Sequence, residues 1–231
     1  GDTIVPNSDG KYGIVPIIVR DIARNFTGIL RVEIRPADRY ATPMVSSSLY
    51  STVALKADGT VWTWGNNVVG QLGDGETADS LIPVQVKSGD TGDGRFLERV
   101  VQVSAYDGGN RYFMLALRED GTVWAWGDNS YGQLGNGETG NPNVSSIDYY
   151  SEPVQVKAGE SDSIDDYLRN IVAISAGSNF AMAMDRYGNV FTWGNNAVGQ
   201  LGNDTNESSN TPVRPIGGES YTSYLEDAVQ I

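Results

Sequence analysis

An all-β fold built from repeated small sheets is what this sequence predicts, on three observations. A glycine-rich and tryptophan-rich phrase returns three times, as "TVWTWGNNVVGQLGDG" from Thr60, "TVWAWGDNSYGQLGNG" from Thr122 and "NVFTWGNNAVGQLGND" from Asn189. Each copy follows a hairpin signal, with Asp58-Gly59, Asp120-Gly121 or Tyr187-Gly188 at the turn. Too many glycines stand in the phrase for a helix, and too many tryptophans for a loop left in water. Self-similarity on this scale is the signature of a repeat architecture.

In chain order, residues 1–38 lie outside the repeats. Within them "IVPIIVRDI" and "GILRVEIRP" read as two strands, and Pro16 places the first on a sheet edge or at a bulge. Repeats follow over about 39–95, 96–166 and 167–223. In each, two apolar runs flank the turn, as in "STVALKADGTVWTW" and "FMLALREDGTVWAW". Asp-Gly at such a turn supplies the positive φ angles that a tight hairpin needs. The apolar runs do not alternate cleanly with polar residues: Val61 and Trp62 adjoin, and Ala54 stands between Val53 and Leu55. Strands of this kind are expected to be buried on both faces.

Spacing is uneven, 62 residues from Trp64 to Trp126 and 67 from Trp126 to Trp193. The gap from each tryptophan to the next Pro-Val pair is 19, 27 and 19 residues, which puts eight extra residues in "NGETGNPNVSSIDYYSEPV". Their polar, turn-rich character is that of a surface-loop insertion. The last eight residues, "YLEDAVQI" (224–231), match "FLERVVQV" and "YLRNIVAI", the segments that open the second and third repeats. They begin a further unit.

Small antiparallel sheets covered on both faces by copies of themselves are the blades of a β-propeller, with a β-solenoid as the alternative. The series A-L, D-G, W-G-x-N, G-Q-L-G in "VALKADGTVWTWGNNVVGQLGDG" resembles the repeat of the RCC1-type β-propeller family, over roughly residues 41–231. The resemblance implies seven blades in a closed ring. About three to three and a half are legible here, so a partial or open propeller is expected unless further sequence or other subunits complete it. The resemblance also makes the repeat residues structural: Trp64, Gly65, Gly70, Leu72 and Gly73 in the first copy, Trp126, Gly127, Gly132, Leu134 and Gly135 in the second, and Trp193, Gly194, Gly199, Leu201 and Gly202 in the third. The tryptophans fill space between blades and the glycines make tight turns; a sugar-stacking platform and a phosphate cradle are the competing readings.

The chain has 231 residues, no cysteine and no histidine, which excludes disulfides, cysteine nucleophiles and the common zinc sites. No run is long enough for an apolar membrane span. A net charge of −13 argues against sequence-independent nucleic-acid binding and favours basic or neutral partners. Residues 1–40 hold six Lys/Arg against five Asp/Glu, so the remainder carries the acidity. No catalytic residue and no cofactor are assigned. Calcium is the one metal considered, through Asp74, Glu76, Asp90 and Asp93, whose spacing lacks the ligand set of an EF-hand. Asp165-Asp166 and Glu226-Asp227 are the adjacent carboxylates that glycoside hydrolysis would call on, and a solvated acidic surface explains them equally. Asn25, Asn143, Asn203 and Asn206 open glycosylation patterns that a chain rich in Asn, Ser and Thr produces by chance.

The function expected is non-enzymatic: a structural or protein-interaction propeller using variable loops on a rigid scaffold. Self-assembly through open ends is part of that expectation, with Ile14, Val15, Ile17, Ile18 and Val19 of one subunit completing the blade begun by Leu225, Ala228, Val229 and Ile231 of another, into an oligomer or filament. The alternatives are a fragment of a larger secreted propeller that binds or inhibits a partner protein, and a carbohydrate-binding module or enzyme. The resemblance also implies roles in nucleotide exchange on a small GTPase with chromatin binding, and in β-lactamase inhibition; neither is carried residue by residue. The even phrasing of the repeats resembles exported bacterial members of the family and implies an extracellular or cell-surface setting.

Overall fold

The computed structural model describes residues 14–20, 26–33, 41–89, 95–106, 112–139, 149–161, 166–217 and 223–231. It divides into a unit of residues 1–39 and a unit of residues 40–231. In the first, β1 (Ile14–Arg20) pairs antiparallel with β2 (Phe26–Glu33), Ile14 opposite Glu33 and Pro16 opposite Arg31. The irregularity in this ladder falls between Val19 and Arg20 rather than at Pro16. A two-stranded ribbon has only edge strands, so proline's missing N–H costs it no central hydrogen bond.

The second unit holds three four-stranded antiparallel sheets, each a meander in sequence order. The first blade is β3 (Met44–Ser47), β4 (Ser51–Leu55), β5 (Val61–Gly65) and β6 (Ser80–Gln85). The second is β7 (Val100–Ala105), β8 (Phe113–Arg118), β9 (Val123–Asp128) and β10 (Tyr149–Gln155). The third is β11 (Ile171–Ala176), β12 (Phe180–Asp185), β13 (Val190–Gly194) and β14 (Ser209–Val213). A short pair, β15 (Ile216–Gly217) with β16 (Ser223–Tyr224), follows. The architecture is that of propeller blades in an open array.

Each hairpin turn closes by Lys56 N donating to Thr60 O at 3.0 Å and Gly59 N to Lys56 O at 3.0 Å, or the equivalents at Arg118 and Thr122. Only the glycine takes positive φ, 79° at Gly59 and 79° at Gly121. The preceding aspartate therefore serves as a side-chain acceptor rather than as a second left-handed residue, which is the longer, glycine-bulged hairpin.

Side-chain alternation explains why the repeats look apolar throughout. In the second blade Met114, Ala116, Trp124 and Trp126 join Val53, Leu55 and Val61 in one core, while Phe113, Leu115, Leu117, Val123 and Ala125 join Ala181, Ala183, Phe191 and Trp193 in another. Both faces of that blade are buried because it has a neighbour on each side. The expectation of two buried faces fails for the first blade: Val53, Leu55 and Val61 are buried, but Ala54, Trp62 and Trp64 are only half-buried. Within the unit of residues 40–231, no further sheet among the described residues lies on the outward face of that blade.

Trp126→Ala should destabilise the chain by about 3–5 kcal/mol in urea denaturation, the usual cost of emptying a fully buried indole site. Trp64→Ala should cost less than half of that, since its ring is already partly in water.

Candidate interaction surfaces

The second asparagine of each repeat phrase organises the loop that follows it. Asn67 is fully buried; its Oδ1 accepts from Leu72 N at 2.9 Å, and its Nδ2 donates to Asp74 Oδ1, Glu76 O and Ala78 O at 3.1–3.2 Å. Asn129 and Asn196 repeat the pattern, accepting from Leu134 N and Leu201 N and donating to Glu138 O and Glu207 O. One buried amide thus replaces the ladder bonds that an irregular loop lacks, as buried polar groups require. Sequence reasoning did not single out these asparagines, although their recurrence three residues after each tryptophan was the signal.

The described parts of these loops are residues 66–79, 129–139 and 195–208. Together they contain Asp74, Glu76, Asp79, Glu138, Asp204 and Glu207 and no lysine or arginine. Glu76, Asp79, Glu138, Asp204 and Glu207 are exposed. The three loops leave the same end of equivalent strands and form one acidic rim.

The opposite rim carries the hairpin turns and mixes its charges. Lys56 Nζ lies 5.6 Å from the Trp62 ring centre and Arg118 lies 6.0 Å from that of Trp124, cation–π contacts at the edge of the useful range. Asp58 Oδ1 accepts from Thr60 N at 3.0 Å and from its hydroxyl at 2.6 Å, and Asp120 does the same with Thr122 at 3.1 and 2.6 Å. The Thr60 hydroxyl holds the Asp58 carboxyl below its ordinary pKa. At Asp120 burial pushes the other way, but the Thr122 hydroxyl and amide and the Arg118 charge together outweigh it, and the net shift is again downward.

The repeat residues sit at the joints between blades. Trp126 is fully buried, and its Nε1 donates to Gln71 O at 2.9 Å; Trp193, equally buried, donates to Gln133 O at 2.9 Å. A β-carbon at Gly73 would lie 2.9 Å from Trp126 Nε1, and one at Gly135 2.7 Å from Trp193 Nε1. Each indole therefore enters a slot that only glycine leaves open, and neither ring is available to stack on a sugar. Leu72, Leu134 and Leu201 are buried beneath the same loops. Gly65 and Gly194 end β5 and β13, and Gly127 stands next to last in β9, with φ of 101–109°. Gly70, Gly132 and Gly199 turn the loops, and Gly202 occupies the slot position of the third blade. Trp64, the first copy's tryptophan, is half-buried and has no acceptor for its Nε1 among the described residues.

Among the described residues no group of acidic side chains is placed to hold a metal ion. Asp74 is engaged by Asn67 and by Glu76 N, while Asp90 and Asp93 lie outside the described residues, as do Asp165, Asn25 and Asn143. Glu226 meets Arg214 at 3.4 Å, and Asp227 takes a left-handed conformation. No helix among the described residues is long and apolar enough to cross a membrane.

Of the residues expected at an assembly interface, Ile14, Val15, Ile17, Ile18 and Val19 lie in β1, where β2 pairs with them. Leu225, Ala228, Val229 and Ile231 form no strand, and Val229 is 94% exposed. The tail's backbone nevertheless repeats an internal pattern. Leu97 N donates to Val86 O and Val100 N to Gly59 O; Leu168 N and Ile171 N do the same to Val156 O and Gly121 O; Leu225 N and Ala228 N do the same to Pro215 O and Gly188 O. Arg99, Asn170 and Asp227 share φ of 59–62° at the same point. Residues 225–228 thus occupy the lead-in to a further blade.

The regulator of chromosome condensation (RCC1) repeat matches residues 58–108, 120–184 and 187–230. Human E3 ubiquitin-protein ligase HERC2 is 30% identical over 203 residues, covering 88% of this chain and 4% of that one. Human protein RCC2 is 30% identical over 203 residues, covering 87% of this chain and 32% of that one. The chain therefore spans a small part or about a third of these relatives. Among solved structures, human WBSCR16 superposes with a TM-score of 0.56 at 20% identity, over 94% of this chain and 48% of that one. Yeast RCC1 (Prp20), solved with Kap60 bound, gives 0.53 at 17% identity over 84% and 42%. These two likenesses carry the propeller fold.

Because both carboxyls have pKa values lower in the folded chain than in the unfolded one, the stability they contribute is present above the unfolded value, roughly 3.9, and is lost as pH falls below it. The melting temperature of Asp120→Asn should therefore fall less steeply than that of the parent chain between about pH 5 and pH 3. Thermal scans across that range check the slope.

Proposed function

Because the chain belongs to the RCC1 repeat family, we propose that it works by contact rather than by catalysis, as a propeller array whose acidic loop rim binds a cationic surface on a partner protein. The carrying observation is the rim itself: three loops, each rooted by a buried asparagine, whose described residues include six carboxylates and no lysine or arginine. Rigid strands with loops rooted from within present a surface at little entropic cost on binding. A rim of one sign steers an oppositely charged partner and gives an association that weakens with salt. The chain offers no histidine or cysteine for a nucleophile. The word ligase in one relative's name belongs to a protein of which this chain matches 4%. Protein binding in a relative of the same fold, yeast RCC1 with Kap60, is consistent with this reading.

Self-association is a second reading, favoured by the exposed apolar Val45, Leu81 and Ile82 of the first blade. The proposal extends to a cell-surface setting, supported by the resemblance of the evenly phrased repeats to exported bacterial members; antibody labelling of intact cells would check it.

Titration of the purified chain against a bead-displayed library of Lys/Arg-rich and neutral peptides tests the rim. Binding should be confined to the basic members and fall at least tenfold in Glu76→Lys/Glu138→Lys/Glu207→Lys, with a matching loss of salt dependence. Equal binding of neutral peptides, or of the variant, would remove the charge argument.

A further inference from the structure

The passage from the first blade to the second leaves a cavity of about 190 Å³ on the hairpin rim. Among the described residues its walls include Arg95, Phe96, Leu97 and Glu98 of the connection between β6 and β7, and Arg118 and Trp124 of β8 and β9. Trp124 belongs to the core that the second blade shares with Val53 and Leu55 of the first. The cavity therefore lies at a joint whose two blades are both present. Its connecting wall is held by backbone bonds on either side of Phe96, Ser88 N donating to Arg95 O at 2.8 Å and Leu97 N to Val86 O at 2.9 Å. Phe96 nevertheless leaves 45% of its surface exposed.

Arg118 is the chemically distinctive member of the lining. Its Nε donates to Glu98 O at 3.2 Å, which fixes the guanidinium in the wall. Asp120 Oδ2 stands 3.8 Å from Nη1, an ion pair beyond hydrogen-bond reach, so among the described residues the terminal N–H groups meet no acceptor. The hairpin does not need this arginine. In the first blade its place is taken by Lys56, paired with Asp58 at 3.2 Å. In the third it is taken by Asp185, which accepts from Tyr187 N at 2.8 Å and Asn189 N at 3.0 Å. The turn closes either way, Arg118 N donating to Thr122 O at 2.9 Å and Asp185 N to Asn189 O at 3.0 Å. Two arginines against one carboxylate also make this lining locally cationic in a chain of net charge −13.

We propose that this cavity binds an aromatic carboxylate, its ring against Phe96 and Trp124 and its carboxylate on the terminal N–H groups of Arg118. A guanidinium whose Nε is already anchored presents its remaining donors in the planar fork that matches a carboxylate. The volume sets the size of the ring: a cavity of about 150 Å³ holds benzene, whereas drug-sized ligands occupy about 300 Å³ or more. Glu98 in the lining favours a singly charged acid over a phosphate dianion, by like-charge repulsion. A free arylalkanoic acid and the C-terminal phenylalanine or tyrosine of a peptide both carry this chemistry. The site is on the rim opposite the acidic loops and is independent of the contact proposed for them.

Ligand-observed NMR and calorimetric titration of the purified 231-residue chain with 3-phenylpropanoate and 3-phenylpropanamide test this. The acid should bind with a dissociation constant of about 1 mM or tighter, as its small size allows, and the amide about tenfold more weakly. Arg118→Gln should lower the acid to the amide's affinity and leave the amide unchanged. Phe96→Ala should weaken both about fivefold. The hairpin keeps its backbone bonds with aspartate in place of this arginine, so Arg118→Gln should melt as a folded chain. Acetyl-Gly-Phe with a free carboxyl, set against its C-terminal amide, separates the two sources. Tighter binding of the peptide acid than of 3-phenylpropanoate assigns the site to a chain terminus, and the reverse assigns it to a small molecule. Equal binding of acid and amide by the parent chain, or no saturation by either at about 20 mM, overturns the proposal whatever the variants do. A preference for the acid that survives in Arg118→Gln overturns it as well.

Discussion

The stacking of one sheet on the next is the constraint on which the structure depends. Each blade is too small to bury its own faces, and the second blade is a closed interior only because Met114, Ala116, Trp124 and Trp126 lean on one neighbour and Phe113, Leu115 and Leu117 on the other. The indole N–H of each later blade ends in a carbonyl of the blade before it, Trp126 to Gln71 and Trp193 to Gln133, so the largest apolar side chains also fix the spacing of the joint. Burying an indole without an acceptor would forfeit much of what its area contributes.

That joint also makes the loops what they are. The chain must leave the strand sharply after each tryptophan, pass under the next indole at a glycine, and return to the sheet edge. A backbone doing this loses its ladder partners, and the buried asparagine of each loop supplies them. The outer side of the loop is then released from structural duty. Its residues differ between copies, and what they share is negative charge. Structure and proposed contact surface divide the same loop between its inner and outer sides.

A stack of like units has ends, and the ends show by contrast what the joints do. The same position is buried in the middle and less covered at the limit: Val103 is buried and Val45 exposed, and Trp126 is buried where Trp64 is half-buried. The tail places Leu225 and Ala228 on the backbone acceptors that lead into every later blade, which makes the first step of another joint.

The repetition of the tryptophan phrase, the hairpin glycines and the proline of the outer strand were legible in the sequence, because each is a local requirement of turn or strand that recurs wherever the unit recurs. With them the sequence by itself determined the all-β class, the blade architecture and the identity of the residues at each joint. Only the tertiary structure decided which of three equivalent residues is buried, since burial depends on whether a neighbour stands beside the blade and not on the residue: Trp64 and Trp126 have the same local surroundings in sequence and different fates. It also decided that Asn67, Asn129 and Asn196 are the roots of the loops, because one amide gathering a donor five residues along the chain and acceptors nine to eleven residues along is a matter of closure in space. The convergence of six scattered carboxylates onto one rim has the same origin, as strands of one direction bring their following loops to one end.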